Sequence, residues 1–383
     1  MAGNEPKIDA EEILSGIREW IEIESPSDDA VAVNRMVDAA QAAMAGIGAS
    51  IERTPGREGY GDVLKAKMPW AGAKEADGKG ILVLSHLDTV HPIGTLKNIN
   101  PFRREGDAVY GPGIYDMKGG AYLAYYALRH LVRSGRKTPL PVTFLFVPEE
   151  EVGSPTSRAA IEAAARNAKY VLVTEPARDG GKIVTGRKGA ARFDLTVKGR
   201  ASHAGLRHQD GRSAVKELAH QILAIEGMTD YARGITTSVG TIAGGTGINV
   251  VPAEARAGVD MRFPTQAVCD EMLARIHALK PVGPDTSLSI DSRVTRPPYQ
   301  KFDGIQKLFD HAKSLAKDIG FELGEVTQTG GGSDGNFTGA MGIPTLDGLG
   351  VDGRGAHAVD EQLYYSSLEP RAKLMLRLLE TLE

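Results

Sequence analysis

Three adjacent carboxylates, Glu149-Glu150-Glu151, directly follow Pro148 and the apolar run Val142 to Val147. A charge run on a solvated helix face calls for no special chemistry. Like charges gathered at the mouth of an apolar core repel one another and want a cation. Four more stretches set His and acidic residues in similar surroundings: Ser85-His86-Leu87-Asp88, Tyr115-Asp116-Met117-Lys118, Thr174-Glu175-Pro176 and Gly355-Ala356-His357-Ala358. Any one of them alone reads as a solvated acid or a satisfied histidine. Their joint occurrence carries the argument for a metal site.

The spacing suggests roles. His86 and Asp88 are two apart, and on a strand they project to the same side, so the carboxylate can fix the tautomer of a ring whose other nitrogen binds metal. Asp116 closes the Gly-rich turn Gly111-Pro112-Gly113-Ile114-Tyr115-Asp116, where a carboxylate can approach and bridge two ions. Glu150 and Glu151 cannot both point the same way from an extended backbone, so one ligates while its neighbour shuttles a proton. Glu175 precedes Pro176, which biases it to extended geometry. His86, Asp116, Glu151, Glu175 and His357 together suit two zinc ions that share one carboxylate and one water, with cobalt or manganese as substitutes.

These residues need elements to hold them. Asp9 and Glu12 form a capping-box pattern ahead of Ile13, Leu14, Ile17, Trp20 and Ile21, so an amphipathic helix opens the chain. A second helix carries Val33, Met36, Val37, Ala40, Met44 and Ile47 and stops at Gly48. There follow an apolar strand ending at His86, a helix beginning after Gly119-Gly120, the strand Val142 to Val147, a helix through Ile161 and the strand Tyr170 to Val173. Buried strands alternating with helices predict an α/β domain with a mainly parallel sheet sandwiched by helices. His86, Asp88, Glu150, Glu151 and Glu175 all fall at or just past carboxyl ends of strands, where open α/β sheets place ligand sites.

From about Gly186 the rhythm changes. Strand Arg192 to Val197, helix Ser213 to Ile225, a strand-rich stretch from Thr236 to Phe263, helix Ala267 to Leu279 and strand Ser287 to Ser292 read as a two-layer βαββαβ unit. After Arg296-Pro297-Pro298 the chain returns to helix Ile305 to Ile319, the Gly330-Gly331-Gly332 loop, His357 and a last helix through Leu382. The expected domains are therefore 1–185 with 296–383, and an inserted ferredoxin-like α+β unit at 186–295. The Ala/Gly/Lys-rich stretch 71–80 reads as a surface turn.

Composition removes other classes. A chain of 383 residues with 42% hydrophobic and 25% charged residues is ordinary for a globular protein of two domains, and a net charge of -4 offers no footprint for nucleic acid. The single cysteine, Cys269, reads as core packing rather than a disulfide or reactive thiol. The polar start, Met1 to Ala10, and the shortness of every apolar run lead us to expect a cytoplasmic protein with no membrane contact.

The motifs Ser85-His86-Leu87-Asp88-Thr89-Val90, Gly111-Pro112-Gly113 through Asp116-Met117-Lys118-Gly119-Gly120, and Glu150-Glu151-Val152-Gly153-Ser154 resemble those of the co-catalytic zinc carboxypeptidases and deacylases. That family includes carboxypeptidase G, acetylornithine deacetylase, succinyl-diaminopimelate desuccinylase, aminoacylase and peptidase T. The resemblance spans nearly the whole chain. It implies that Asp116 bridges two metals, that Glu151 and His357 complete one site and His86 and Glu175 the other, that Glu150 is the general base and that Asp88 orients His86. The extra acid Glu149 leaves the register one residue ambiguous. Counting back from Gly153-Ser154 selects Glu150 and Glu151; the alternative gives their roles to Glu149 and Glu150.

The same resemblance covers the inserted unit, a lid and dimerisation domain in the family. Lys198-Gly199-Arg200-Ala201-Ser202-His203-Ala204-Gly205 is similar to the motif whose histidine stabilises the oxyanion, often across a homodimer interface, which implies a catalytic His203. Asn249 and Arg262 match positions that hold the substrate backbone and its terminal carboxylate, although a sheet arginine near acids also reads as a salt-bridge residue. The expected reaction is hydrolysis of an amide beside a free carboxylate in a small peptide or N-acyl amino acid. A carboxypeptidase releasing a residue such as glutamate is closest, through Glu175 and the Gly330-Gly331-Gly332-Ser333-Asp334 loop. An N-acyl amino acid deacylase is the alternative, and a noncatalytic metal-binding protein of the same fold a remote one.

Overall fold

The computed structural model describes residues 7–68 and 79–383. Most of the stretch read as a surface turn, 71–78, lies outside the described residues. Along the chain run α1 (Ala10–Ile21), α2 (Ala30–Gly46), β1 (Ser50–Thr54), β2 (Val63–Lys67), β3 (Gly80–His86), α3 (Lys118–Arg133), β4 (Val142–Val147), α4 (Arg158–Arg166) and β5 (Ala168–Val173). Then come β6 (Gly189–Lys198), α5 (Ala214–Glu226), β7 (Thr236–Gly244), β8 (Glu254–Phe263), α6 (Gln266–His277) and β9 (Ser287–Arg296). The chain closes with α7 (Asp303–Ile319), β10 (Thr345–Leu346) and α8 (Leu368–Thr381). It divides into two compact units: Met1–Gly186 with Lys301–Thr327 and Ser333–Glu383, and Arg187–Gln300 with Gln328–Gly332.

In the first unit a six-stranded sheet has the order β1-β2-β4-β3-β5-β10. The neighbours β4-β3, β3-β5 and β5-β10 are parallel, while β1-β2 and β2-β4 are antiparallel. All of β3 is buried and so is nearly all of β4, as expected of strands with helices over both faces. The Asp9 carboxylate caps α1 by accepting from the amides of Glu11 at 2.9 Å and Glu12 at 3.3 Å. Gly320, at φ +103°, ends α7 in the left-handed conformation its missing Cβ permits. A small antiparallel sheet joins Arg103–Glu105, Ala108–Tyr110, Gly353–Arg354 and Gln362–Tyr364.

Two local expectations differ. The helix α3 begins at Lys118, ahead of Gly119-Gly120 rather than after it. Those glycines serve close packing instead of marking a break, since a Cβ on Gly119 would stand 2.2 Å from the Ile114 carbonyl oxygen and one on Gly120 2.0 Å from that of Thr174. Strands β1 and β2 were not anticipated.

The second unit is a four-stranded antiparallel sheet in the order β7-β8-β6-β9. Its helices α5 and α6 contribute Leu218, Ile225, Cys269, Met272 and Ile276 to a core shared with Phe193, Leu195, Val259, Met261 and Phe263 of the sheet. Strand β7 lies at one edge, and its far end is exposed. Among the described residues no helix is long and apolar enough to cross a membrane.

Candidate metal centre

The carboxyl edge of the parallel sheet delivers the candidate ligands. His86 is the last residue of β3, and Glu175 lies two residues past the end of β5. Glu150 and Glu151 start a single 3₁₀ turn after β4; the backbone there is not extended, so the argument from an extended backbone does not apply, and the two carboxylates fall in separate ligand groups that share His86. His86 Nε2 stands 3.3 Å from Asp116 Oδ1 and 3.7 Å from Glu175 Oε1. His357 Nε2 stands 3.5 Å from Asp116 Oδ2 and 3.0 Å from Glu151 Oε2. Asp116 thus shows one oxygen to each histidine. Two ligand groups result, His86-Asp116-Glu151 and His86-Glu150-Glu175, each with its donor atoms within 4.8 Å of one another.

Asp88 lies beyond the end of β3, not on the strand. The loop nevertheless returns it to His86: Nδ1 hydrogen-bonds the Asp88 carbonyl oxygen at 3.0 Å and lies 3.3 Å from its carboxylate. That leaves Nε2 facing the acids. The Asp88 carboxylate is itself held by the Ser27 hydroxyl at 2.6 Å and by the amides of Glu150 at 3.1 Å and Glu151 at 3.2 Å. One buried residue therefore holds both the ring, through its carbonyl oxygen, and the turn that carries the two glutamates, through its carboxylate. Glu149 faces elsewhere. Fully buried, it accepts from the amides and hydroxyls of Thr156 and Ser157 at 2.6–3.0 Å, which assigns it to holding the turn.

The charge balance shows what the cluster lacks. Burial, and then the negative Asp116, push the Glu151 carboxyl up to about 8. Hydrogen bonds to Asp116 and Glu151 raise His357 to about 10. Burial disfavours both charged forms at Asp116 and His86, yet His357 and then His86 hold Asp116 far below the carboxylate range, and Asp116, Asp88 and Glu175 hold His86 well above its own. Glu151 Oε1 is buried with no hydrogen-bond partner among the described residues. Acids that borrow protons from histidines, and a buried carboxylate oxygen without a donor, fit divalent cations bound by imidazole and carboxylate. Beneath them burial draws the Lys118 ammonium down to about 7, against the pull of Glu24, Glu361 and Asp88.

A profile of Peptidase family M20/M25/M40 matches residues 82–381. The chain belongs to this family. It is 30% identical over 367 residues to carboxypeptidase G2 of Pseudomonas sp. (strain RS-16), covering 95% of this chain and 87% of the relative. It is 27% identical over 344 residues to a succinyl-diaminopimelate desuccinylase of Cupriavidus taiwanensis, covering 84% of this chain and 88% of the relative. Its fold matches the aminopeptidase PepT of Bacillus cereus, at 22% identity, TM-score 0.76 and coverage of 97% and 98%. It also matches a metallo-carboxypeptidase of the M20 family from Sulfolobus solfataricus, at 19% identity, TM-score 0.75 and coverage of 97% and 99%. As an M20 protein, the chain is a hydrolase with a candidate metal cluster at the carboxyl edge of its sheet.

Three site residues suggested by the M20 resemblance lie in the second unit. His203 is exposed on the short strand Ser202–His203, paired with Val250–Val251. Its Nδ1 accepts the amide hydrogens of Gly205 at 3.2 Å and Leu206 at 3.1 Å, so a neutral ring carries its hydrogen on Nε2. Asn249 is exposed, and its carbonyl oxygen accepts from the Ala204 amide at 2.9 Å. Arg262 forms a two-pronged pair with Asp260 at 2.8 and 3.0 Å, the salt bridge its surroundings in the sequence foretold.

Reading the sequence missed the residues that hold this M20 site from behind, chiefly Ser27, His91 and Glu361. The only signal for Glu361 was a second acid four residues after His357.

Proposed function

We propose that this M20 hydrolase is a carboxypeptidase that releases a carboxyl-terminal amino acid, such as glutamate, from small peptides or N-acyl conjugates. The observation that carries the reading is that Asp116 shows one carboxylate oxygen to His86 and the other to His357, with Glu151 grouped beside Asp116 and with Glu150 and Glu175 grouped around His86. The higher identity and wider coverage with carboxypeptidase G2 favour a carboxypeptidase. The likeness to desuccinylases supports the second reading, removal of an acyl group from an amino acid.

In this proposal His86 and Glu175 would hold one ion and Glu151 and His357 the other, with Asp116 facing both pairs. Two zinc ions would supply Lewis acidity and nucleophile activation at neutral pH. Glu150, beside His86 and Glu175, accepts the proton of the attacking water and returns it to the leaving amine. Asp88 keeps the His86 ring in one tautomer. His203 donates its Nε2 hydrogen to the oxyanion, and Asn249 and Arg262 take the substrate backbone and carboxylate, Arg262 by exchanging Asp260 for the ligand. We further propose that the second unit is a lid that joins two subunits into a homodimer; the exposed edge of β7 with Ile242 supports this.

Release of free amino acid from a panel of dipeptides and N-acyl amino acids by the zinc-loaded protein, read by mass spectrometry, tests the reading. Preference for peptides ending in glutamate is expected. Preference for acetyl or succinyl compounds would establish the deacylase instead.

A further inference from the structure

Glu361 makes no contact with solvent, so it cannot touch a substrate. Its carboxylate nevertheless accepts four hydrogen bonds. Oε1 takes the amides of Tyr115 at 2.8 Å and Asp116 at 2.9 Å. Oε2 takes the amide of Gly113 at 2.8 Å and His91 Nε2 at 2.5 Å. Its backbone carbonyl accepts from the Asn100 side chain at 3.0 Å and the Gly111 amide at 3.3 Å. The whole turn from Gly111 to Asp116 is therefore wrapped around one residue.

That residue also belongs to the other half of the site. Glu361 follows His357 by four positions and directly precedes the strand Gln362–Tyr364, which pairs with Ala108–Tyr110. The backbone leading into His357 folds tightly against Glu361. Gly355 has φ +80°, and a Cβ there would meet Glu361 Cα at 3.2 Å; His357 itself has φ +66°. One side chain thus fastens the turn that carries Asp116 to the segment that carries His357. A change at Glu361 therefore moves Asp116 and the His357 segment together, while His86, the last residue of β3, and Glu175, two residues past β5, stay fixed by the sheet.

We propose that Glu361, held in place by His91, is a positioning residue that sets the geometry of Asp116 toward His357. The inference rests on the reading of the site as a two-ion centre. A glutamine of the same shape offers one acceptor oxygen where the amides require two, and turns an NH₂ group toward an N–H. The ion that depends on both Asp116 and His357 is then bound more weakly than the ion held by His86 and Glu175.

The test is cobalt binding to metal-stripped full-length protein, followed by titration calorimetry and by the visible absorption of the bound ion, with thermal unfolding measured alongside. Wild type is expected to bind two ions. Glu361→Gln is expected to keep the first and bind the second about 10- to 100-fold more weakly, the range typical of partners that orient ligands, with an altered absorption band. His91→Leu, which leaves the carboxylate but removes its fourth donor, should show the same defect more mildly, and His91→Gln, which restores a donor, should recover wild-type binding. The His91 pair keeps the test decisive if Glu361→Gln does not fold. Variants with a lowered unfolding temperature but unchanged affinities and spectrum would overturn the inference and leave Glu361 a packing residue. A wild type that binds fewer than two ions would overturn the two-ion reading itself.

Discussion

Ser157 donates both its amide hydrogen, at 2.7 Å, and its hydroxyl, at 2.6 Å, to the Glu149 carboxylate. Thr156 adds its own amide and hydroxyl to the same group, each at 3.0 Å. The first of the three consecutive acids thereby holds the 3₁₀ turn, an arrangement that favours the register in which Glu150 and Glu151 face the candidate site. Glu149→Gln is expected to destabilise the protein by about 1–3 kcal/mol, because a buried amide cannot accept from four donors. Its turnover below the unfolding transition should stay near wild type. Denaturant unfolding and initial rates on the same preparation check both halves; a dead but stable Glu149→Gln would move the base one residue back.

Glu150 is the complementary case. It sits beside His86 and Glu175. Glu150→Ala is expected to lower kcat by at least about 10²-fold, the low end of what a positioned general base contributes, while metal content measured by elemental analysis stays near wild type. Activity retained in this variant would remove Glu150 from the mechanism.

In the second unit, burial works against ionisation of Glu217, but the amides of Gly283 and Val282 and the Gln221 side chain outweigh it and hold its carboxyl below the usual range. A depressed folded pKa contributes stability that is present above the unfolded value, about 4.3, and is lost as pH falls through the folded value. Glu217→Gln should therefore be less stable than wild type at pH 7, and the gap should shrink steadily below about pH 4.5. Urea unfolding across that range measures it; a gap independent of pH would mean that the shape of the side chain matters and its charge does not.

Cys269 is fully buried on α6, and burial, with Asp270 nearby, pushes its thiol up to about 11. The thiolate is the reactive form. A disulfide reagent at pH 8 is expected to leave the folded protein unlabelled and to titrate one thiol per chain in guanidinium chloride. Rapid labelling of the native protein would show that the core of the second unit opens easily.

Much of this was legible from residue types and spacing, and the remainder fails for identifiable reasons. Strands β3, β4 and β5 are dominated by apolar residues, so their ends, and with them His86, Glu150, Glu151 and Glu175, could be located from hydrophobicity. Strand β1, Ser50–Thr54, has no buried residue, and its pairing with β2 leaves no apolar signature. Asp88 was assigned its role through a strand geometry it does not have; a loop hydrogen bond delivers the same result. Glu361 is an acid whose partners, Gly113 and Asp116, lie more than 240 positions away in sequence. Buried carboxylates bonded to backbone amides leave no periodic trace, because their partners have no side-chain identity to read.

His203 offers the last prediction, since its local geometry fixes which nitrogen is free. With Nδ1 occupied by the amides of Gly205 and Leu206, Nε2 is the hydrogen-bond donor. If that donor meets the oxyanion, His203→Ala should lower kcat by roughly 10²–10³-fold with little change in KM, the cost typical of one such donor. If it acts on the partner subunit, a mixed dimer of His203→Ala and Glu150→Ala chains contains one site with both groups intact and one with neither. Mixing the two inactive variants should then restore part of the activity in proportion to the hybrid fraction, which differently tagged subunits make measurable. Subunit exchange without recovery would place His203 and Glu150 of each working site in the same chain.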